Sequence, residues 1–186
     1  MVTMMQTWRI DIPKAHPRLF GGEPELWFGH PSFQDGWRDI LERLCTRIEA
    51  AVKEDEWFEF NRIQQKFGLL RADWTGEVSE QTRARIEEAV SLAEARSSCT
   101  CEFCGEEGAK YHAARVVMVR CEAHAEGRPV TATRGNERLH LVRVVEPVEP
   151  SVRTVRRYDR ETDAFIGPPE DIAAALLRDG IEPEED

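Results

Sequence analysis

Cys101, Cys104, Cys121 and His124 stand in the order Cys-x-x-Cys, sixteen intervening residues, Cys-x-x-His. Two ligands separated by two residues sit at the tip of one tight turn, and two such turns supply a complete tetrahedral shell of thiolate and imidazole. The spacing therefore predicts a closed, structural Zn2+ site of the zinc-finger kind. Four protein ligands leave no open position for water or substrate, so Lewis-acid catalysis at this ion is not expected. The plain alternative is a set of buried thiols. Cys99 makes a third thiol beside the first pair; the Cys-x-x-Cys turn has the better geometry, which leaves Cys99 as the spare candidate. A structural zinc contributes about 10–16 kcal/mol of apparent free energy at neutral pH, comparable to the whole net stability of a domain at about 5–15 kcal/mol.

A staple of that size matters because of where the aromatic residues lie. All five tryptophans (Trp8, Trp27, Trp37, Trp57, Trp74) fall in the first 74 residues of a 186-residue chain. The remainder offers Phe103, Tyr111, Tyr158 and Phe165 as its aromatic core material. One core-forming domain followed by a small metal-stapled module fits this asymmetry.

The chain has no run of eighteen apolar residues, and its start, MVTMMQTWRIDIPK, lacks a basic stretch followed by an apolar one. No membrane span or secretory signal is expected, which points to the cytoplasm. Clustered cysteines near a histidine agree, since a reducing compartment favours metal ligation over disulfides.

The opening alternation Trp8, Ile10, Ile12 suits a short strand, broken up by Pro13, Pro17, Gly21, Gly22 and Pro24. After Trp27 and Phe28, the turn-forming GHPSFQDG leads into a helix from Asp35 to about Lys53 with Asp35 as N-cap. Its stripe is Trp37, Ile40, Leu41, Leu44, Cys45, Ile48 and Val52. Cys45 on that stripe reads as a small core hydrophobe. The segment EWFEFNRIQQKFGLLRADW reads as two or three short strands or a hairpin broken at Gly68. A second helix starts at the N-cap Ser79 and runs to Ser97 or Ser98, burying Ile86, Ala89, Val90 and Ala93.

In the metal module, Gly105 suits a turn needing positive φ, and AKYHAARVVMVR reads as a hairpin delivering Cys121. The Cys121–His124 pair then opens a short helical turn that stops at Gly127 and Pro129. Knuckle, hairpin and helix-borne second pair make a treble-clef-like module, with a zinc ribbon as the competing geometry. Beyond a loop around TATRGNE come a strand in LHLVRVVE, a connector at EPVEP and a hairpin turning at Asp159 to Thr162. A helix in PPEDIAAALLRDG follows, and then a solvated IEPEED tail.

The expected fold class is thus α+β: one small antiparallel sheet with two main helices over residues 1–98, the zinc module over 99–128, a β-hairpin and short helix over 129–180, and an acidic tail over 181–186.

The formal net charge is -10, but residues 109–160 hold 11 Lys+Arg against 6 Asp+Glu, whereas residues 161–186 hold 1 against 9. Either the acidic parts neutralise the basic stretch within the molecule, or Arg143, Arg153, Arg156 and Arg157 present a surface to an acidic protein or a phosphate backbone. No phosphate-cradling glycine loop, Gly-x-Ser-x-Gly turn or distinctive carboxylate pair is present. His16, His30, His112 and His140 stand apart, and only His140 with Asn136 hints at a nuclease-type site, with nothing to complete it.

The segments DGWRDILERLC, QQKFGLLRADW, RSSCTCEFCGEEG and CEAHAEG, in this order, resemble a group of small bacterial and phage-borne zinc-binding proteins with no assigned activity. The likeness spans about Phe28 to Gly127. It implies metal ligation by Cys101, Cys104, Cys121 and His124. For Lys66, Phe67, Gly68, Leu70 and Arg71 it implies a structural or binding role, and it implies no enzymatic activity. The chain departs from that pattern in Cys99 and in everything after Gly127.

These readings converge on a noncatalytic zinc-stabilised protein that binds a macromolecular partner, a protein in the first instance, as a regulator or inhibitor carried on a mobile element. The alternatives are a nucleic-acid-binding regulator using the arginine-rich strands, and a metal-dependent hydrolase or nuclease. Oligomeric state is not encoded in any pattern of the sequence.

Overall fold

The computed structural model describes residues 8–21, 31–130, 139–143 and 153–170. Trp27, Phe28, His30, the TATRGNE loop with Asn136, the EPVEP connector, the helix expected over 171–180 and the acidic tail lie outside the described residues.

The first element is a helix, α1 (Trp8–Ala15), and not the expected strand. Three apolar residues two apart fit either period; Trp8 and Ile12, one helical turn apart, are the buried pair while Ile10 is half-buried. The Trp8 indole N–H donates to Asp35 Oδ1 at 2.7 Å. That contact explains a second departure: Asp35 is not an N-cap. It begins a 3-10 turn (Asp35–Trp37) that leads into α2 (Arg38–Ala51), which has no side-chain cap. The stripe Ile40, Leu41, Leu44, Cys45 and Ile48 is buried, as its spacing requires.

β1 (Trp57–Lys66) and β2 (Leu69–Glu77) form one antiparallel hairpin, from Trp57 opposite Glu77 to Lys66 opposite Leu69. Its two-residue loop, Phe67 and Gly68, has φ of 55° and 71°. Positive φ at both positions is what a tight turn matched to strand twist demands.

Ser79 caps α3 (Glu80–Ser97) by accepting from Thr82 N–H. α3 buries more than the expected stripe: Leu92, Ala95 and Ser97 join Ile86, Ala89, Val90 and Ala93. The helix lies between two layers, with β2 and α2 on one side and part of a second sheet on the other. Small residues permit that double approach.

Two three-stranded antiparallel sheets follow among the described residues. One has the order β4 (Val116–Arg120), β3 (Ala109–Ala113), β5 (Arg128–Pro129); the other β6 (Leu139–Arg143), β7 (Arg153–Asp159), β8 (Ala164–Glu170). The described residues are mixed α+β, with three α-helices and three small antiparallel sheets. The helix expected to open at the proline pair does not begin there, because Pro168, Pro169 and Glu170 continue β8. β8 is an edge strand whose register with β7 is irregular between Ile166 opposite Arg157 and Glu170 opposite Val155, the stretch that holds both prolines and where proline is tolerated.

The main core gathers α1, α2, β1, β2 and α3 around Trp37, Phe60, Leu41 and Ile86, and takes in Val119 from β4. A second cluster joins Leu92 and Ala95 of α3 to Tyr158 of β7, with Phe165 and Cys99 packed against it. The β7–β8 hairpin is also tied by charge. Asp163, buried at its turn, accepts from the Tyr158 hydroxyl at 2.6 Å and from Arg47 at 2.9 Å, and lies 3.5 Å from Arg96.

Candidate metal centre

The first ligand turn closes through backbone bonds. Cys101 N–H donates to Glu106 O at 2.7 Å and Gly105 N–H to Cys101 O at 2.8 Å, with Gly105 at φ 83°. The β3–β4 hairpin then carries the chain to Cys121, where a 3-10 turn (Glu122–His124) brings His124 back toward it. His124 N–H donates to Cys121 O at 3.0 Å. The turn stops before Gly127 (φ 83°), and Arg128–Pro129 pairs with β3.

One ligand atom from each of Cys101, Cys104, Cys121 and His124 lies within 4.8 Å of the others. A tetrahedral ion with metal–sulfur bonds of about 2.3 Å sets its sulfurs about 3.8 Å apart and sulfur and nitrogen about 3.6 Å apart. The Cys104 and Cys121 sulfurs are 3.7 Å apart; His124 Nδ1 is 3.8 Å from Cys101 Sγ and 3.2 Å from Cys121 Sγ. A disulfide needs about 2.0 Å, so these are open thiols at the separation of ligands around one ion. The residues can hold a metal ion, and among the described residues no other group of this kind occurs.

The electrostatics fit a cation. Burial opposes the Cys101 thiolate, yet hydrogen bonds from the Cys121, Cys104 and Phe103 backbone outweigh it and bring the thiol down to about 6. Cys104 moves the other way: the Glu106 N–H favours its thiolate, but desolvation and the adjacent Cys101 and Cys121 raise it. The Cys101 thiolate suppresses that of Cys104, and a divalent ion between them would offset the repulsion.

Cys99 stays outside the centre. Its Sγ faces the carbonyls of Arg96 and Ala95, at 3.4 and 3.7 Å, and burial raises its thiol. Cys45 is fully buried in the main core, where burial also raises the thiol.

Sequence reasoning missed the residues that dock this centre on the core. Gly36 N–H donates to Glu102 O at 2.8 Å, and the Trp37 indole to Thr100 O at 2.8 Å. A β-carbon on Gly36 would sit 2.3 Å from Cys101 O and 2.5 Å from Gly105 N. Glycine is required there for space, so the Gly-Trp pair is the seat of the first ligand turn. Glu102, itself buried, accepts from Arg120 at 3.2 Å and from Gln34 N–H at 3.3 Å. Arg160, from the β7–β8 turn, reaches Gly105 O at 3.1 Å. The signal in the sequence was DGW itself, legible only once its partner in space is known.

The other candidate residues scatter. The Arg143 and Arg153 backbones pair across β6 and β7, and their side chains lie outside the described ones. Arg156 is 3.3 Å from Glu88 and stacks over Phe165 at 4.7 Å; Arg157 is half-buried. His140 is buried 3.5 Å from Glu94, His16 lies 2.7 Å from Glu49, and His112 is exposed on β3. Of the KFGLLR segment, Phe67 and Gly68 form the hairpin turn, Leu70 is buried, and Arg71 bonds Glu94 at 2.6 Å.

Beside the metal centre the small sheet has two unlike faces. Val119 enters the main core, and Lys110, opposite it, shares that face together with Val117 and His112, the last lying beyond the core's edge and exposed. By alternation Ala109, Tyr111, Ala113, Val116, Met118, Arg120 and Pro129 share the other side, where Val116 is 51% exposed and Tyr111, Ala113, Met118 and Arg120 are half-buried.

Comparison with protein-family models, curated proteins and solved structures gave no match. No helix among the described residues is long and apolar enough to cross a membrane.

Proposed function

We propose that the centre binds Zn2+ as a structural ion in a treble-clef-like module, and that the protein works by binding a protein partner through the surface this module holds in place. Three thiolates and one imidazole are the donor set that selects zinc among common cytoplasmic metals. A two-ligand hairpin followed by a helical second turn is closer to a treble clef than to a ribbon, which would end in a second strand-borne knuckle. The observation that carries the functional reading is the outward face of the β3–β4–β5 sheet beside the ligand cluster, where the exposed Val116 and Pro129 adjoin the half-buried Tyr111, Ala113 and Met118, with Arg120 at the end nearer Cys121. Contiguous apolar surface framed by charge is characteristic of partner-binding sites. Arg115 in the β3–β4 turn and Arg128 on β5 are exposed, which suits an acidic partner.

In this reading the protein is a noncatalytic cytoplasmic regulator or inhibitor, in keeping with the resemblance to phage-borne proteins. Elemental analysis of the purified chain should give one zinc per chain. Affinity capture from the native host, repeated with Val116→Asp and Met118→Asp, should recover a partner with the unaltered chain and lose it with both variants. Equal recovery with all three chains refutes the surface. A salt-dependent gel shift that falls on replacing Arg143, Arg153 and Arg157 would favour nucleic-acid binding instead. Hydrolysis dependent on added magnesium or manganese would favour the enzyme reading.

A further inference from the structure

The four ligand atoms are unequally sheltered. Cys101 is 0% exposed and sits in a turn fastened to the core by bonds that do not pass through the metal: Gly36 N–H to Glu102 O, and Glu102 N–H to Val119 O at 3.1 Å. Cys104 is exposed at the tip of that turn, and Cys121, half-buried, offers its sulfur 3.7 Å away. A dissolved oxidant therefore meets Cys104 first, and the thiolate placed to react next is Cys121. Three thiolates around one divalent ion leave a net negative charge, which keeps the exposed sulfur nucleophilic.

Resting on the zinc reading above, we propose that Cys104 and Cys121 are a peroxide-responsive pair that exchanges the metal staple for a disulfide. The Cys104 thiolate attacks one oxygen of hydrogen peroxide; the O–O bond breaks, Cys104 becomes a sulfenic acid and hydroxide leaves, taking a proton to become water. The Cys121 thiolate then attacks the sulfenic sulfur, the S–S bond forms, and a second hydroxide leaves as water. Two thiolates are oxidised by two electrons, and peroxide is reduced to two waters. Cys101 and His124 remain as the ligands and do not hold the ion, so zinc departs as Zn2+. Closing the gap to a bond of about 2.0 Å moves the two side chains by less than 2 Å in all. The bridge joins the same two turns that the ion joins. The module then stays closed and seated on Gly36 and Trp37, and a dithiol reductant restores the metal-binding form.

The test uses the full chain as isolated, with its zinc content measured first. Excess hydrogen peroxide is added with a chromogenic zinc indicator present, and the tryptic peptides spanning 97–110 and 121–134 are examined for a cross-link. The expected result is release of one zinc per chain together with a Cys104–Cys121 bridge, both reversed by dithiothreitol and both unchanged in Cys99→Ser. Zinc retained through the treatment overturns the proposal while leaving the zinc reading intact. Release with the bridge at Cys99 or Cys101, or with Cys104 driven to sulfinic acid, also overturns it. A chain isolated without zinc defeats the zinc reading and this proposal together. The bridge is mapped in the unaltered protein, so no outcome depends on a ligand variant folding.

Discussion

Replacing Gly36 by alanine puts a methyl group 2.3 Å from Cys101 O, 2.5 Å from Gly105 N and 2.7 Å from Glu102 O. Non-bonded contacts settle near about 3.5 Å, so the overlap is about 1 Å. All three clashing atoms are backbone, and none can rotate away as a side chain would. The ligand turn must lift from α2 by about that distance. Overpacking of this kind costs about 1–3 kcal/mol, and lifting the turn also stretches the 2.8 Å bond from Gly36 N–H to Glu102 O, at about 1 kcal/mol. A total of roughly 2–4 kcal/mol lowers Tm by about 4–16 °C in a chain of this size. If the docked turn is the conformation that holds zinc, the same penalty weakens zinc binding by up to roughly 30- to 1,000-fold. Circular-dichroism melts of the zinc-loaded chain and competition with a chromogenic chelator measure the two quantities. A Gly36→Ala protein melting within about 2 °C of the unaltered chain, with the same zinc affinity, would show that the turn is not seated on Gly36.

Other parts of the structure give equally direct expectations. Asp163 resists protonation despite its burial, because Tyr158, Arg47 and Arg96 hold its carboxyl below the usual carboxylate range; its contribution to stability is complete above the unfolded value of about 3.9 and is lost as pH falls through the lower folded value. Asp163→Asn should cost about 3 kcal/mol at neutral pH and flatten the acid limb of Tm against pH; an unchanged acid limb would rule out this carboxylate as its source. Ser79→Ala removes the α3 cap and should cost about 1 kcal/mol in a denaturant titration, with no change in zinc affinity. A strong chelator at neutral pH should open the amides of residues 101–124 to hydrogen exchange while those of Ile40 to Ile48 stay protected. Uniform protection before and after would mean that the ligands do not depend on a metal for their order.

What could be read from the sequence was what is local in space. The two ligand turns, the Ser79 cap, the break at Gly68 and the turn after Asp159 are each decided within a few residues. The α2 stripe was legible because five residues at one spacing outvote any accident. α1 was misread because Trp8, Ile10 and Ile12 are too few to separate the two periods. Asp35 resembled a cap, but Trp8, far away in the chain, claims its carboxylate. The second buried side of α3 was hidden because Leu92 and Ala95 find their partner in Tyr158, more than sixty residues away. Gly36 belongs to the same class: its requirement lies in the carbonyl of Cys101, and nothing near Gly36 in the chain announces it.

The ligand turns were readable and their seat was not, and this bears on how the metal can act. Val119 enters the main core from β4, while Met118 and Val116 of the same strand face outward. A strand with one face buried cannot slip by one residue without exchanging its two faces. A metal held by these ligands would fix both flanks of the hairpin, Cys104 before β3 and Cys121 after β4, and thereby set the register that keeps Val119 in and Val116 out. Loss of the ion with no replacement would disturb the outward face before it disturbed α2, whose buried stripe packs within the main core. If this face binds a partner as proposed, a variant that weakens metal binding should lose that partner at a temperature where the far-ultraviolet signal of the helices is still intact. If partner binding and helix signal disappear together across a series of ligand variants, the centre supports the whole fold and the outward face has no separate dependence on it.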